Sequence, residues 1–186
     1  EYMCMEAKPQ YKSVEILPHF PEVDGVYYLK SELPEPTGHA LDELISRFNP
    51  ETDYDRQLML AALVTPGWGG PPGTRPAFVF TSRYGRGVGK TTTASLICEI
   101  WGGAPSISER EDWEAVRARL LSDESLSQRC VLIDNLKSRL SRGGLESAIT
   151  ARTMDGKKMY KGQFSRPNYL TWFITANTPT LSRDLA

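Results

Sequence analysis

The sequence has 186 residues, which is enough to bury one substantial core, and its composition is that of an ordinary globular protein. Its net charge of −1 excludes a general attraction to nucleic acid, so any such binding has to come from a local positive patch. The longest apolar run, residues 58–64, is too short to cross a bilayer, and the three cysteines lack the paired spacing of a zinc site. We therefore expect a cytoplasmic protein without a membrane partner, in which Cys98 and Cys130 are small core residues.

The first part of the chain, residues 1–37, is rich in proline, which excludes a long helix there. A short strand is expected at residues 26–29. We interpret residues 1–37 as a linker or the end of an upstream domain, and residues 38–186 as the core domain. Because the chain begins at Glu1 and stops within a motif at Ala186, we expect it to be a piece of a longer protein, with the core truncated at its C-terminus.

Two helices are predicted before the first central strand. Apolar residues at helical spacing indicate one helix over residues 39–48. A second helix, capped by Asp53, is expected to end at about Val64, shortly before a proline. A Gly- and Pro-rich loop, residues 67–76, then leads into the sheet.

Residues 76–101 read PAFVFTSRYGRGVGKTTTASLICEIW: an apolar strand, a glycine-rich loop and a helix. This order is typical of the phosphate-binding loop of nucleotide triphosphatases, in which backbone N–H groups surround the phosphates. Lys90 would reach the outer phosphates, and the Thr91 hydroxyl would bind Mg²⁺. The strict motif has glycine where this chain has Tyr84, so the alternative is a glycine-rich turn before an ordinary helix. The predicted nucleotide-binding residues are Gly85, Arg86, Gly87, Val88, Gly89, Lys90, Thr91 and Thr92.

After a further amphipathic helix, the run CVLIDN at residues 130–135 predicts a central parallel strand that is buried on both faces. It ends at Asp134, which would lie at the carboxyl edge of the sheet and hold the water shell of Mg²⁺, as a Walker B aspartate does. The pattern is common, and an unremarkable strand end is the alternative reading.

Two further elements complete the prediction. A Lys-rich segment between Gly156 and Gly162 predicts a β-hairpin, within a region (residues 137–166) of net charge +6; a solvated surface hairpin is the alternative. A third buried strand, residues 169–175, leads to Asn177. This side chain would either lie beside Asp134 and the γ-phosphate or cap a turn before the following proline.

The four motifs occur in fixed order, as GRGVGKTT, VLIDN, the basic hairpin and TWFITAN, and LSRDLA follows them. This constellation resembles the ATPase core of superfamily III helicases and their AAA+ relatives. It is most similar to the helicase half of primase-helicases that replicate DNA in phages, plasmids and other mobile elements. The resemblance covers residues 41–186 and implies a three-layer α/β P-loop fold with a central, mostly parallel sheet and a β-hairpin insertion.

The resemblance also implies roles for single residues. Asn177 would be the sensor of the γ-phosphate, and Arg183 lies in the segment that reaches a neighbouring subunit's nucleotide. Many AAA+ enzymes have glutamate where this chain has Asn135, and asparagine can orient water but cannot accept its proton at neutral pH. The implied catalytic set is Lys90, Asp134, Asn135, Asn177 and Arg183. The hairpin would grip single-stranded DNA in the channel of a hexameric ring, through Lys157, Lys158, Tyr160 and Lys161.

Three functions follow as hypotheses. The first is an ATPase, with ATP and Mg²⁺ as cofactors, that acts as a DNA helicase or translocase in a ring of identical subunits on single-stranded DNA. The second is an ATP-gated oligomeric scaffold that binds DNA or protein with little hydrolysis, which Asn135 would permit. The third, a small-molecule P-loop kinase, leaves the basic hairpin without a role.

Overall fold

The computed structural model describes residues 11–29, 34–73, 75–82, 84–85, 87–137, 139–140, 143–158, 162–177 and 180–181, with the backbone alone at 139, 140, 158, 180 and 181. The strands are β1 (Ser13–Glu15), β2 (Val26–Tyr28), β3 (Ala77–Phe80), β4 (Ser106–Ile107), β5 (Cys130–Leu136), β6 (Arg139–Leu140), β7 (Thr153–Lys158), β8 (Gly162–Pro167), β9 (Thr171–Ala176) and β10 (Thr180–Leu181). The helices are α1 (Ala40–Arg47), α2 (Asp53–Val64), α3 (Lys90–Ile100), α4 (Trp113–Leu120) and α5 (Gly143–Thr150).

A parallel four-stranded sheet in the order β3-β9-β5-β4 forms the centre of the fold. The apolar runs of β5 and β9 became strands because both faces of the sheet are covered, so Cys130 to Ile133 and all of β9 are buried. The strand β9 lies between β3 and β5, although it follows both in the chain. The carboxyl ends of these three strands therefore meet at one edge of the sheet.

Alternate residues of the central strands serve two separate cores. On one face, Val131 and Trp172 pack with the apolar side of α4 and α5. On the other face, Leu132 and Phe173 pack with residues of α1, α2 and α3. The result is a three-layer α/β arrangement. Cys98 and Cys130 are buried in the second core, as expected.

The start of α2 differs from the prediction in its capping residue. The N-cap is Thr52 rather than Asp53, and its side chain accepts a hydrogen bond from the Asp55 backbone while Asp55 accepts one from the Thr52 backbone. This reciprocal capping box satisfies two N–H groups that the first turn of a helix leaves free. None of the described helices is both long and apolar enough to cross a membrane.

The first two lysines of the Lys-rich segment lie on β7, which forms an antiparallel hairpin with β8 from Thr153 opposite Pro167 to Lys158 opposite Gly162. The hairpin packs against the end of α4: a Cβ atom added at Gly156 would lie 2.6 Å from Leu121 Cδ1. The glycine is needed there for close approach.

One cation of the predicted positive patch is not on the surface. Arg166 is buried and donates hydrogen bonds to the carbonyl oxygens of Leu120 at 3.0 Å and Ser125 at 2.8 Å. Burial lowers the pKa of this guanidinium to about 10. Arg166 therefore stabilises the packing of the hairpin on the core. The positive patch on the protein surface has at least one charge fewer than the sequence count indicated.

Residues 11–29, within the segment interpreted as a linker, pack against the core through a buried ion pair. The Nε atom of Arg129 lies 2.5 Å from Glu15 Oε2, and the same guanidinium donates to the carbonyl oxygens of Leu17 and Pro18. Burial raises the pKa of Glu15, although the attraction of Arg129 opposes that rise. Arg129 directly precedes β5, so this segment is tied to a central strand. The domain boundary near residue 38 stays a prediction.

His19, also in residues 11–29, is buried close to this ion pair. The Nδ1 atom of His19 lies 3.0 Å from the Tyr28 hydroxyl, and 1% of the residue is exposed. Burial, and then the charges of Arg129 and Arg75, lower the pKa of His19 to about 3. The imidazole therefore stays neutral at neutral pH.

Candidate functional site

The glycine-rich loop (residues 82–89) joins β3 to α3 through backbone conformations that favour glycine. Gly87 has a φ of 80° and Gly89, the N-cap of α3, has a φ of 84°. A Cβ atom added at either position would meet nothing within 4 Å, so it is the positive φ and not crowding that requires glycine there. The loop thus turns into the N-terminus of an eleven-residue helix, whose first N–H groups have no partner within the helix. Such an end attracts anions.

Lys90, the first residue of α3, folds back over this loop. Its Nζ atom donates a hydrogen bond to the carbonyl oxygen of Gly85 at 2.6 Å. The ammonium group therefore lies beside the helix N-terminus, where the two positive potentials add. This is the arrangement that a phosphate group would neutralise.

Asp134 is the centre of a hydrogen-bond network at the carboxyl edge of the sheet. Its Oδ1 atom accepts hydrogen bonds from the hydroxyl groups of Thr91 and Thr175, each at 2.7 Å. The Thr175 hydroxyl in turn accepts one from the backbone N–H of Asn135 at 2.8 Å. The network therefore joins α3, β5 and β9 at the point where they converge.

A cleft of about 420 Å³ opens at this edge, a size typical of small-molecule sites. It brings together the end of the glycine-rich loop, the start of α3 and the ends of β5 and β9. Its lining residues are Gly87, Val88, Gly89, Lys90, Thr91, Thr92, Asp134, Asn135, Thr175, Ala176 and Asn177.

Most of the predicted nucleotide-site residues meet in this cleft, although they come from three separate stretches of sequence. Asn177 lines the same cleft as Asp134 and is half-buried, and its role as a sensor stays a prediction. Gly85 contributes through its contact with Lys90. The predicted residues Arg86 and Arg183 lie outside the described part of the chain.

Of the predicted DNA-binding residues, Lys157 and Lys158 lie on β7 of the hairpin, and Lys157 does not line the cleft. Lys157 is exposed on β7, and Lys158 is described by its backbone alone. Tyr160 and Lys161 lie outside the described residues. Outside the hairpin, Lys137 and Arg152 are exposed cations of the same positive region.

Thr175 is a site residue that the sequence analysis missed: it was predicted only as the last residue of a buried strand. A threonine in a strand is ordinarily read as β propensity. A signal was present, since side chains two positions apart share one face of a strand, and Thr175 stands two residues before Asn177. An alternating polar pair at a strand end therefore predicts a shared cleft.

Asp134 and Thr91 offer hard oxygen ligands of the kind that Mg²⁺ takes. The described residues contain no group of three or more His, Cys, Asp or Glu side chains arranged to hold a metal. One carboxylate and one hydroxyl fit a cation that receives its remaining ligands from water and phosphate, and they do not fit a site built from protein ligands alone.

Comparisons with known proteins support the fold. No protein-family model and no curated protein matches the sequence. Solved structures do match, among them an A-form apo structure of the NrS-1 C-terminal region, with a TM-score of 0.58, 12% identity, and coverage of 92% of this chain and 43% of that one. A second A-form apo structure of that region matches with a TM-score of 0.52 and 15% identity, and covers 93% of this chain and 36% of that one. An apo structure of the same region matches with a TM-score of 0.53 and 14% identity, and covers 97% of this chain and 42% of that one. The chain thus spans about two fifths of the solved chains, and identities this low show likeness of fold alone.

Proposed function

We propose that this chain is the ATP-binding core of an ATPase that acts on single-stranded DNA as a ring of identical subunits, as superfamily III helicases do. The observation that carries the proposal is the contact between Thr91 and Asp134. These residues stand far apart in the sequence, yet their side chains meet at 2.7 Å beside a glycine-rich helix N-terminus. A hydroxyl and a carboxylate in this position match the Mg²⁺ site of P-loop enzymes.

Each part of the cleft has a role in phosphoryl transfer, which depends chiefly on positioning and charge neutralisation. The loop N–H groups and the N-terminus of α3 would bind the phosphates, and Lys90 would exchange its contact with Gly85 for the outer phosphate oxygens. Thr91 and Asp134 would hold Mg²⁺, which supplies positive charge between the β- and γ-phosphates.

Asn135 and Asn177 would orient the attacking water on the far side of the γ-phosphate. Both line the cleft, and amide groups can donate and accept hydrogen bonds without taking a proton. Among the described lining residues, Asp134 is the single carboxylate, and its Oδ1 atom is already engaged by two hydroxyl groups. This favours slow hydrolysis, and it is the reason to keep the ATP-gated scaffold as the second candidate.

The hairpin supports the nucleic-acid part of the proposal. It is a two-stranded antiparallel sheet separate from the central sheet, Met154 and Arg166 are buried against the core, and Lys157 is exposed. Exposed lysines on such a hairpin suit a negatively charged backbone without regard to base sequence. In a ring, each subunit would contribute one such hairpin to the channel.

The deciding experiment measures ATP binding and hydrolysis by the full-length protein, with and without single-stranded DNA. A DNA motor binds Mg·ATP and hydrolyses it faster when DNA is added. The scaffold binds Mg·ATP and DNA but hydrolyses little under either condition. A protein that binds no ATP at millimolar concentration contradicts both.

A further inference from the structure

The strands β5 and β9 lose their register beside the cleft. They pair residue for residue up to Ile133 opposite Ile174, and the next pair is Leu136 opposite Ala176. Two residues of β5, Asp134 and Asn135, therefore stand opposite the single residue Thr175. Such a β-bulge turns side chains away from their regular alternation and often lies beside a functional site.

The bulge puts Asn135 in the left-handed region, with a φ of 56°. This conformation is uncommon for residues other than glycine, although asparagine tolerates it best. The bulge also removes Asn135 from the regular ladder, so its N–H group needs a partner other than a strand carbonyl.

The hydroxyl group of Thr175 provides that partner. It accepts the Asn135 N–H at 2.8 Å and donates its own hydrogen to Asp134 Oδ1 at 2.7 Å. Thr175 is 1% exposed, whereas Asp134 is half-buried and Asn135 is exposed in the cleft. A β-branched residue has a restricted χ1 angle, so this anchor is rigid while both of its partners face the ligand space.

We propose that Thr175 is a positioning residue for Mg·nucleotide: its hydroxyl holds the Asp134 carboxylate against Thr91 and holds Asn135 in the conformation that directs its amide group into the cleft. The inference rests on the proposed nucleotide site. Thr175 would not touch the metal itself but would orient the carboxylate that binds it. Residues that orient metal ligands in this way are nearly as important for metal binding as the ligands themselves.

The test compares three substitutions in the full-length protein. Thr175→Val removes the hydroxyl and keeps the branched shape, and Thr175→Ser restores the hydroxyl. Thr171→Val is the matched control, because Thr171 lies at the other end of β9, is fully buried, and its hydroxyl has no hydrogen-bond partner among the described residues.

The first measurement is the affinity for a fluorescent ATP analogue in EDTA and over a series of Mg²⁺ concentrations. In Thr175→Val we expect nucleotide affinity in EDTA within about twofold of the parent, because the loop and Lys90 are intact. The Mg²⁺ concentration at half-saturation, measured on the nucleotide complex, should rise about 10- to 100-fold, and kcat should fall by a similar factor. Thr175→Ser should recover most of both losses, and Thr171→Val should behave as the parent.

A purely structural role predicts a lower melting temperature with an unchanged Mg²⁺ dependence, and that outcome overturns the proposal. Equal Mg²⁺ shifts in Thr171→Val and Thr175→Val, or no recovery in Thr175→Ser, overturn it as well. If Thr175→Val does not fold, Thr175→Ala gives the same comparison without placing a second methyl group against the carboxylate. A parent protein that binds no nucleotide contradicts the proposed function, and the positioning role falls with it. If the parent binds Mg·ATP and Thr175→Val has the same Mg²⁺ dependence as the parent, the positioning role is contradicted and the proposed function is not.

Discussion

The ammonium group of Lys90 is hydrogen-bonded to the carbonyl oxygen of Gly85 at 2.6 Å, so the glycine-rich loop is closed by its own lysine. The bond joins the first residue of α3 to the middle of the loop, across five positions of sequence. A phosphate group that enters the loop has to compete with one neutral acceptor, and a charged acceptor wins that competition. Lys90 can thus exchange the Gly85 carbonyl for a phosphate oxygen at little cost in free energy.

The first prediction concerns this lysine. Lys90→Ala should weaken ATP binding about 10- to 100-fold, since a charge-assisted hydrogen bond is worth about 1.5–3 kcal/mol. The fold should survive because Lys90 makes its described contact with the loop alone. Titration with a fluorescent ATP analogue checks the affinity, and Lys137→Ala, which removes an exposed cation outside the cleft, is the control. Unchanged affinity in Lys90→Ala would remove the loop from the nucleotide site.

The second prediction separates metal binding from nucleotide binding. Asp134→Asn keeps an oxygen that can accept hydrogen bonds from Thr91 and Thr175 but removes the negative charge. We expect nucleotide affinity in EDTA to stay near the parent value, while Mg²⁺-dependent turnover falls about 100-fold or more. Steady-state ATPase assays over a Mg²⁺ series measure this, with Asp24→Asn at an exposed turn as the control. Parental turnover in Asp134→Asn would show that this carboxylate does not serve the metal.

The third prediction tests the hairpin as a DNA contact. Replacing Lys157, Lys158 and Lys161 together by alanine should reduce single-stranded DNA binding and DNA-stimulated ATPase, and leave ATP affinity unchanged. Affinity falls as salt rises, and each lost phosphate contact should make the slope of log affinity against log salt less negative by about 0.7. Fluorescence anisotropy with labelled oligonucleotides at several salt concentrations gives the slope, and Arg47→Ala in α1 is the control. A triple variant with the parental affinity and slope would make the hairpin a solvated surface feature, and the scaffold would become the leading candidate.

The fourth prediction follows from the buried histidine. The pKa of His19 falls from 6.5 to about 3 on folding, so below pH 6.5 the unfolded chain takes up a proton that the folded protein does not. The stability that His19 contributes is therefore complete above about pH 6.5 and is lost as the pH falls toward 3. Between pH 7 and pH 5 this loss should be about 2 kcal/mol, since one pH unit within that window corresponds to about 1.4 kcal/mol.

Urea unfolding of the parent and of His19→Gln at pH 7 and pH 5 measures the effect. The parent should lose about 2 kcal/mol more than His19→Gln between the two pH values. Comparing the two proteins cancels the contribution of Glu15, whose raised pKa acts in the opposite direction. His39→Gln removes the second histidine, which is exposed, and should follow the parent. Equal pH dependence in the parent and His19→Gln would contradict a depressed pKa at this position.

The central strands and most of the cleft could be predicted because their signals are local. The apolar runs of β5 and β9 indicated strands buried on both faces, and the glycines before Lys90 indicated the loop. The cap at Thr52 was missed because both Thr52 and Asp53 suit an N-cap, and the choice depends on the turn geometry.

Contacts between residues distant in sequence could not be predicted in the same way. Glu15 and Arg129 are separated by 114 positions, and no periodicity links them. Arg166 was counted as a surface charge because arginine is seldom buried unless its donors are satisfied. The carbonyl groups that satisfy it, those of Leu120 and Ser125, lie more than 40 positions away in the sequence. The bulge at Asn135 depends on pairing with β9, which a reading of β5 alone does not contain.

The ion pair between Glu15 and Arg129 also limits how this domain can be excised for study. A chain shortened to begin after the proline-rich segment would leave the Arg129 guanidinium buried without its carboxylate, and breaking a buried pair in this way costs about 3–5 kcal/mol. That is a large part of the net stability of a typical domain. Because Arg129 adjoins β5, the damage would reach the strand that carries Asp134. A fragment intended for expression should therefore keep residues 11–29.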